Sequence, residues 1–202
     1  MNATDHTLSA PRRVAFSGLR WASYFFLLAG VVAASYAAYS IADAKAYQAV
    51  EMRKFHHAVP LFEPHLPVIG EVIGEIEIPT VAMKAVILHG DSPEVLRRGI
   101  GHLPETPMPG EWGNVALAGH RDTFFRPLRQ IRPGDVITLR TTRGAFEYRV
   151  ESVRVVSPTD IGVLESSSRR ELTLVTCFPF HYVGAAPNRF IVRAFEVGPH
   201  TE

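Results

Sequence analysis

Residues 71–78 read Glu-Val-Ile-Gly-Glu-Ile-Glu-Ile, and this pattern sets the fold class. Charged Glu71, Glu75 and Glu77 alternate over much of the run with apolar Ile73, Ile76 and Ile78. A period of two sends one set of side chains into a core and the other towards solvent, which predicts a half-buried strand. Segments of the same kind follow at Val81–His89, Asn114–Ala118, Leu172–Thr176 and Phe190–Phe195. Val136–Arg140 and Phe146–Val156 read as a hairpin around Thr142-Arg143-Gly144. Little helix lies between them. Ser92 as N-cap with Pro93 at the first helical position opens a short helix through Arg98. Phe124–Ile131 makes a helical turn closed by Arg132-Pro133-Gly134-Asp135, and Gly101–Gly113 reads as a Pro/Gly-rich loop. Seven to eight short strands with so few helices predict a mostly β domain, a closed or nearly closed barrel.

Upstream of this domain the chain changes character. Between Arg20 and Asp43 lie 22 residues without a charge, WASYFFLLAGVVAASYAAYSIA. At 1.5 Å per residue they are long enough to cross a hydrocarbon core of about 30 Å. The Ala/Ser-rich stretch at 33–38 imitates a signal-peptide cleavage site, but a secretory signal has an apolar core of typically about 7–15 residues. A buried core helix is disfavoured because no polar face appears. Arg12, Arg13 and Arg20 precede the segment, so the positive-inside rule puts the N-terminus in the cytoplasm and the rest outside. Trp21, Tyr24 and Tyr39 are suited to interfacial anchoring. Ala44–Val59 extends the helix as a stalk, and Pro60, Pro64 and Pro67 end it. The expected organisation is a cytoplasmic tail (1–20), a transmembrane helix (21–42), a stalk or linker (43–67) and a β-barrel domain (68–202). His56, His57 and His65 have no Cys partner and no HExxH spacing, and read as surface histidines, not metal ligands.

Charge excludes one class of partner. The net charge is +1, and from Val68 onward 15 basic and 16 acidic residues are interspersed without a basic stripe, which argues against nucleic-acid binding. The cysteine count is more telling. One cysteine rules out an intramolecular disulfide and a thiolate zinc cluster, leaving Cys177 either inert or reactive. It stands at the end of an apolar strand. His120 also ends a strand, after Leu117-Ala118-Gly119, and Arg189 opens the next strand twelve residues beyond the cysteine. A reactive thiol needs a group that stabilises thiolate, a proton donor for a leaving amine and a donor for the oxyanion. These three residue types supply that set. Taken singly, each also has an ordinary reading as a buried thiol, a structural histidine or an ion-paired arginine.

At these positions the sequence resembles the sortases. Thr173-Leu174-Val175-Thr176-Cys177 is similar to the family's TLxTC signature, and Gly113–Arg121, GNVALAGHR, to its strand ending in the catalytic His. Asn188–Val192, NRFIV, is similar to the strand that carries the catalytic Arg. The resemblance covers roughly 70–197. The short early helix, the Pro109-Gly110-Glu111 loop and the HRDTFF run at 120–125 are closest to class D or class E. It implies a cysteine transpeptidase that cuts an LPxTG-like sorting signal between Thr and Gly and passes the acyl group to an amine. In that scheme Cys177 attacks the Thr carbonyl, His120 protonates the departing amine and later deprotonates the incoming one, and Arg189 binds the oxyanion or the substrate backbone. Thr176 would help line the site; Asp122 would orient the His120 region or cap the turn after it.

The same resemblance sets the expected partners. They are a sorting-signal protein as substrate, an amine acceptor on the envelope or a pilin, and the membrane through the N-terminal helix, with no nucleic acid. The localisation implied is a single-pass plasma-membrane protein with its catalytic domain on the extracytoplasmic side. The chemistry requires no cofactor or metal. Some sortases use calcium, and Asp160 and Glu165 lie in a loop before the cysteine strand; two carboxylates in a surface loop are more often solvated than coordinating, and no calcium is assigned. Leu103-Pro104-Glu105-Thr106-Pro107 nearly spells a sorting signal; Pro107 replaces the Gly, and the stretch reads as a structural loop. Two other classes compete. An L,D-transpeptidase would show a Ser-x-Gly-Cys motif, unlike Thr176-Cys177-Phe178; a non-catalytic anchored binding module would not need Cys177.

Overall fold

The structure is a computed structural model that describes residues 15–57, 66–166, 168–182 and 184–198. Two compact units divide the chain, 1–43 and 44–202. The first is built on a continuous helix, α1 (Ala15–His57), whose C-terminal turns belong to the second unit. No Pro interrupts the helix and its side chains within 19–39 are exposed. By length and composition it is able to cross a membrane. The side chains of His56 and His57, residues 58–65 with Pro60, Pro64 and His65, and the arginines at 12 and 13 lie outside the described residues.

The second unit is a closed barrel of eight strands. In chain order its elements are β1 (Val72–Ile78), β2 (Met83–His89), α2 (Pro93–Arg98), β3 (Ile100–His102), β4 (Gly113–Ala118), β5 (Val136–Thr141), β6 (Gly144–Val156), β7 (Arg170–Phe178) and β8 (Asn188–Val197). Around the barrel the order is β1-β2-β3-β4-β7-β8-β6-β5, and closure leaves no free edge. The pairs β2/β3 and β4/β7 are parallel, and every other pair is antiparallel. Alternation along each strand fills the interior: Ile76 and Ile78, Leu117, Ile137 and Leu139, Leu172 and Leu174, and Val192 and Ala194 are fully buried in one core. Phe125, from the segment after β4, closes it with Leu128.

Sequence and structure agree on the barrel, the α2 helix with its Ser92 cap, and the β5–β6 hairpin. Ser92 Oγ accepts the Val95 N–H at 3.3 Å, as the cap requires. The segment read as a Pro/Gly-rich loop from Gly101 holds a difference, because its first residues belong to β3. Three residues are too few to show a period, and the strand exists through its partners: Ile87 pairs with Ile100 and His89 with His102. Gly101 is needed there, since a Cβ would collide with the Gly90 carbonyl. Within the same unit, the Gln48 amide completes the sheet beside β2. It accepts the Val86 N–H at 2.9 Å and donates to the Arg98 carbonyl at 2.6 Å, standing in for a peptide group.

Candidate active site

Strand register puts the thiol and the guanidinium together. Cys177 on β7 is the direct cross-strand partner of Arg189 on β8. Leu172 and Leu174 on β7 and Val192 and Ala194 on β8 point into the core, so by alternation Cys177 and Arg189 share the outer face of the barrel. Directly opposed residues on one face have Cβ atoms about 4.5–5.5 Å apart. Both side chains are partly exposed, as a group that meets a substrate must be.

His120 reaches the same end of the barrel through β4. This strand runs parallel to β7, with Ala118 opposite Val175. The next residue is held from both sides: Gly119 N–H donates to the Val175 carbonyl at 3.2 Å, and the Thr176 hydroxyl donates to the Gly119 carbonyl at 2.7 Å. Thr176 is 3% exposed, and its hydroxyl proton goes to this bond. The result is that His120, exposed, follows a residue locked to the two that precede Cys177. Glycine is required at 119, where a Cβ would sit 2.7–3.0 Å from the Phe125 ring. The turn after His120 closes on its own carbonyl, which accepts the Phe125 N–H at 3.1 Å and the Thr123 N–H at 3.4 Å.

Arg189 is oriented by its own loop. Nη1 donates to the Ala186 carbonyl at 3.3 Å and to the Asn188 carbonyl at 3.1 Å. Among the described residues Nε and Nη2 have no hydrogen-bond partner, so those N–H groups remain for a ligand. Phe178, Phe180 and Phe190 cluster at this end with centroids 5.0–6.1 Å apart, Phe178 stacked on Phe190 and Phe180 edge-on to both.

The other candidates named from the sequence are placed less centrally. Asp122 is exposed and makes neither a hydrogen bond nor an ion pair among the described residues. Asp160 and Glu165 are exposed at the two ends of a 3₁₀ turn (Ile161–Leu164). Among the described residues no three His, Cys, Asp or Glu side chains gather into a metal site. Leu103–Pro107 is fastened to β4 through Thr106, while Pro104 and Glu105 are exposed. The Thr106 hydroxyl donates to the Leu103 carbonyl at 2.8 Å and accepts the Ala116 N–H at 3.1 Å, which makes the stretch a brace on β4.

Several contributors escape a reading by residue type. The Thr173 hydroxyl donates to Asn114 Oδ1 at 2.7 Å, and Asn114 Nδ2 donates to the carbonyls of Val163 (3.0 Å) and Glu165 (3.3 Å). Arg193, ion-paired with Glu171 at 2.5 Å, adds a bond to the Val163 carbonyl at 3.3 Å. These residues dock the 161–165 turn on the outer face of β4, β7 and β8, the face that also carries the Cys–Arg pair four residues further along β7. A polar side chain buried in an otherwise apolar strand, such as Asn114 at 1% exposure, is the signal that marks them. Arg121 gives no such signal, yet its Nη2 donates to the Tyr182 and Gly184 carbonyls at 2.6 and 3.1 Å.

Clefts of about 470 Å³ (Thr80, Arg129–Arg132, Asp135) and 260 Å³ (Ile69, Gly70, Leu88, Ser92, Glu94, Val95, Arg98) are lined by none of the three site residues. Cys177 and Arg189 lie partly exposed on the outer face of the sheet, and His120 is exposed.

Comparison with known proteins gives one consistent result. The family described as "Sortase domain" matches residues 76–197. The chain is 35% identical over 127 residues to sortase D of Bacillus subtilis, covering 62% of this chain and 64% of that protein. It thus spans just under two thirds of the length of that curated relative. Among solved structures, a Clostridium perfringens sortase D5 transpeptidase superposes with a TM-score of 0.66 and 30% identity, over 76% of this chain and 98% of that one. A C. perfringens sortase C described with the C-terminal cell wall sorting motif superposes with a TM-score of 0.60 and 31% identity, over 68% of this chain and 79% of that one.

Proposed function

The chain belongs to the sortase family, whose members are cysteine transpeptidases, and on that premise we propose that it is a membrane-anchored, class D-like transpeptidase of sorting signals with Cys177 as nucleophile. The observation that supports the reading is the register pair Cys177–Arg189, with His120 following Gly119, which is bonded to the two residues before Cys177. Cys177 Sγ attacks the carbonyl of the residue before the scissile bond. The tetrahedral oxyanion is met by the N–H groups of Arg189 that its own loop leaves unused. His120, as imidazolium, gives its proton to the departing amine, and a thioacyl-enzyme remains. The neutral imidazole then takes a proton from the incoming amine, which attacks the thioester and expels the thiolate. Atoms and charge balance without a redox partner.

An LPxTG-like signal is the substrate that fits best: a mostly uncharged, extended peptide is expected to lie along the outer sheet face that carries Cys177, Arg189 and the docked 161–165 turn. The sortase C structure described with a sorting motif supports the same substrate class. The acceptor is an amine on the envelope or on a pilin-type protein. The catalytic domain is taken as roughly 68–202, on the extracytoplasmic side of a plasma membrane spanned by residues 21–42.

Full-length protein in detergent, incubated with a labelled LPxTG peptide and hydroxylamine, tests this directly. A peptide hydroxamate and a thioester adduct on Cys177 are expected, and Cys177→Ala should give neither. His120→Ala and Arg189→Lys should lower the rate by about 10²-fold or more, since a positioned acid–base and an oxyanion donor each contribute on that scale. Product formation undiminished by Cys177→Ala would sink the reading.

A further inference from the structure

The catalytic scheme leaves Arg121 without a role, although its side chain bridges the two halves of the site. Residues 179–187 join the strand of Cys177 to the strand of Arg189. Among the described residues, this loop's hydrogen bonds to the rest of the barrel come from two arginines. Arg189 Nη1 binds the Ala186 carbonyl, and Arg121 Nη2 binds the carbonyls of Tyr182 and Gly184 at 2.6 and 3.1 Å. The Arg121 guanidinium also lies 5.8 Å from the centre of the Tyr182 ring. Its Nη1 is buried without a hydrogen-bond partner among the described residues, a cost that an unconstrained surface arginine sheds by turning to water. The backbone of Arg121 meanwhile adjoins His120, within the turn that closes on the His120 carbonyl.

We infer that Arg121 is a positioning residue for the transpeptidation proposed above, on which this inference rests. A continuous set of contacts runs from the His120 turn through Arg121 to the 179–187 loop, and from that loop to the Arg189 guanidinium. The loop's Ala186 carbonyl aims Arg189, and Arg121 holds the loop. One cation thereby keeps the acid–base group and the oxyanion donor in a single frame around Cys177. Charge-assisted bonds to two carbonyls are stronger than neutral ones and suit this task. Displacements on the order of 1 Å in such frames cost up to about 10²-fold in rate.

The test uses the full-length protein in detergent and compares Arg121→Met, which keeps the stem without donors, with Arg121→Lys, which restores a cation. Hydrogen exchange is followed at residues 179–187, and kcat and KM are measured with the LPxTG peptide. For Arg121→Met the expected result is faster exchange confined to that loop and to 120–125, with kcat down about tenfold or more and KM changed much less. The Lys variant should recover part of both losses, because an ammonium reaches a carbonyl but lacks the flat stacking surface. Wild-type exchange or wild-type kcat in Arg121→Met overturns the inference, as does exchange raised evenly across the barrel, which marks a merely structural residue. If wild-type protein turns over no such peptide, the proposed function falls instead. The loop exchange then still decides whether Arg121 couples the two segments.

Discussion

Gly119 shows how a single residue without a side chain decides where a catalytic one stands. Its carbonyl is fixed by Thr176 and its N–H by Val175, while the Phe125 ring packs where a Cβ would go. Phe125 is fully buried, so it has no room to retreat. Gly119→Ala should therefore destabilise the barrel by about 1–3 kcal/mol through overpacking. Thermal unfolding would show this as a Tm lower by about 2–4 °C per kcal/mol, and an unchanged Tm would contradict the packing described. Chemical identity at this scale is legible in the chain itself: the thiol, the imidazole and the guanidinium are named by residue type and motif. What residue type does not reveal is occupation. Thr176, expected to line the site, also donates its hydroxyl to the Gly119 carbonyl, and nothing about a threonine in a strand announces that.

Among the elements, β2 and β3 carry an unusual polar contact inside the barrel wall. His89 Nδ1 and His102 Nδ1 lie 3.2 Å apart, and His102 Nε2 lies 2.9 Å from the Pro107 carbonyl. A carbonyl only accepts, so Nε2 carries the proton, and the lone pair on His102 Nδ1 receives the N–H of His89. Protonating His102 would set two donors against each other. Burial pushes the His102 pKa below its ordinary value; the Pro107 carbonyl opposes this, His89 adds to the lowering, and Glu111 and Glu105 pull weakly upward. The folded state therefore binds fewer protons than the unfolded chain in the window below an unfolded pKa of about 6.5. Stability from this group is complete above that pH and is lost as pH falls through it. Tm should drop between pH 7.5 and 5.5, and the drop should be smaller in His102→Gln, which is less stable at pH 7.5. Equal slopes in the two proteins would refute the assignment. The element responsible, β3, is also the one that periodicity does not reveal, because its pairing with β2 arises from long-range contact.

At the scale of the whole molecule, a helix of 43 residues joins a barrel whose core is complete in itself. The proposed anchoring requires that the chain stay in the membrane fraction after carbonate extraction, and that a variant lacking residues 21–42 leave it. Release of the full-length protein by carbonate would remove the membrane from the reading. The 22-residue uncharged run, the alternation at 71–78 and the three motif segments are readable directly, because hydrophobic period and local chemistry are properties of neighbours along the chain. They are enough for an apolar helix, a β-barrel and a set of reactive side chains. Only the tertiary structure decided that Cys177 faces Arg189 across one ladder and that His120 is tied to the strand of Cys177 through Gly119. It alone decided that Arg121 crosses from one loop to another and that Leu103–Pro107 braces β4. Those facts depend on the register of strands far apart in sequence and on barrel closure, which side-chain packing sets and no local pattern encodes.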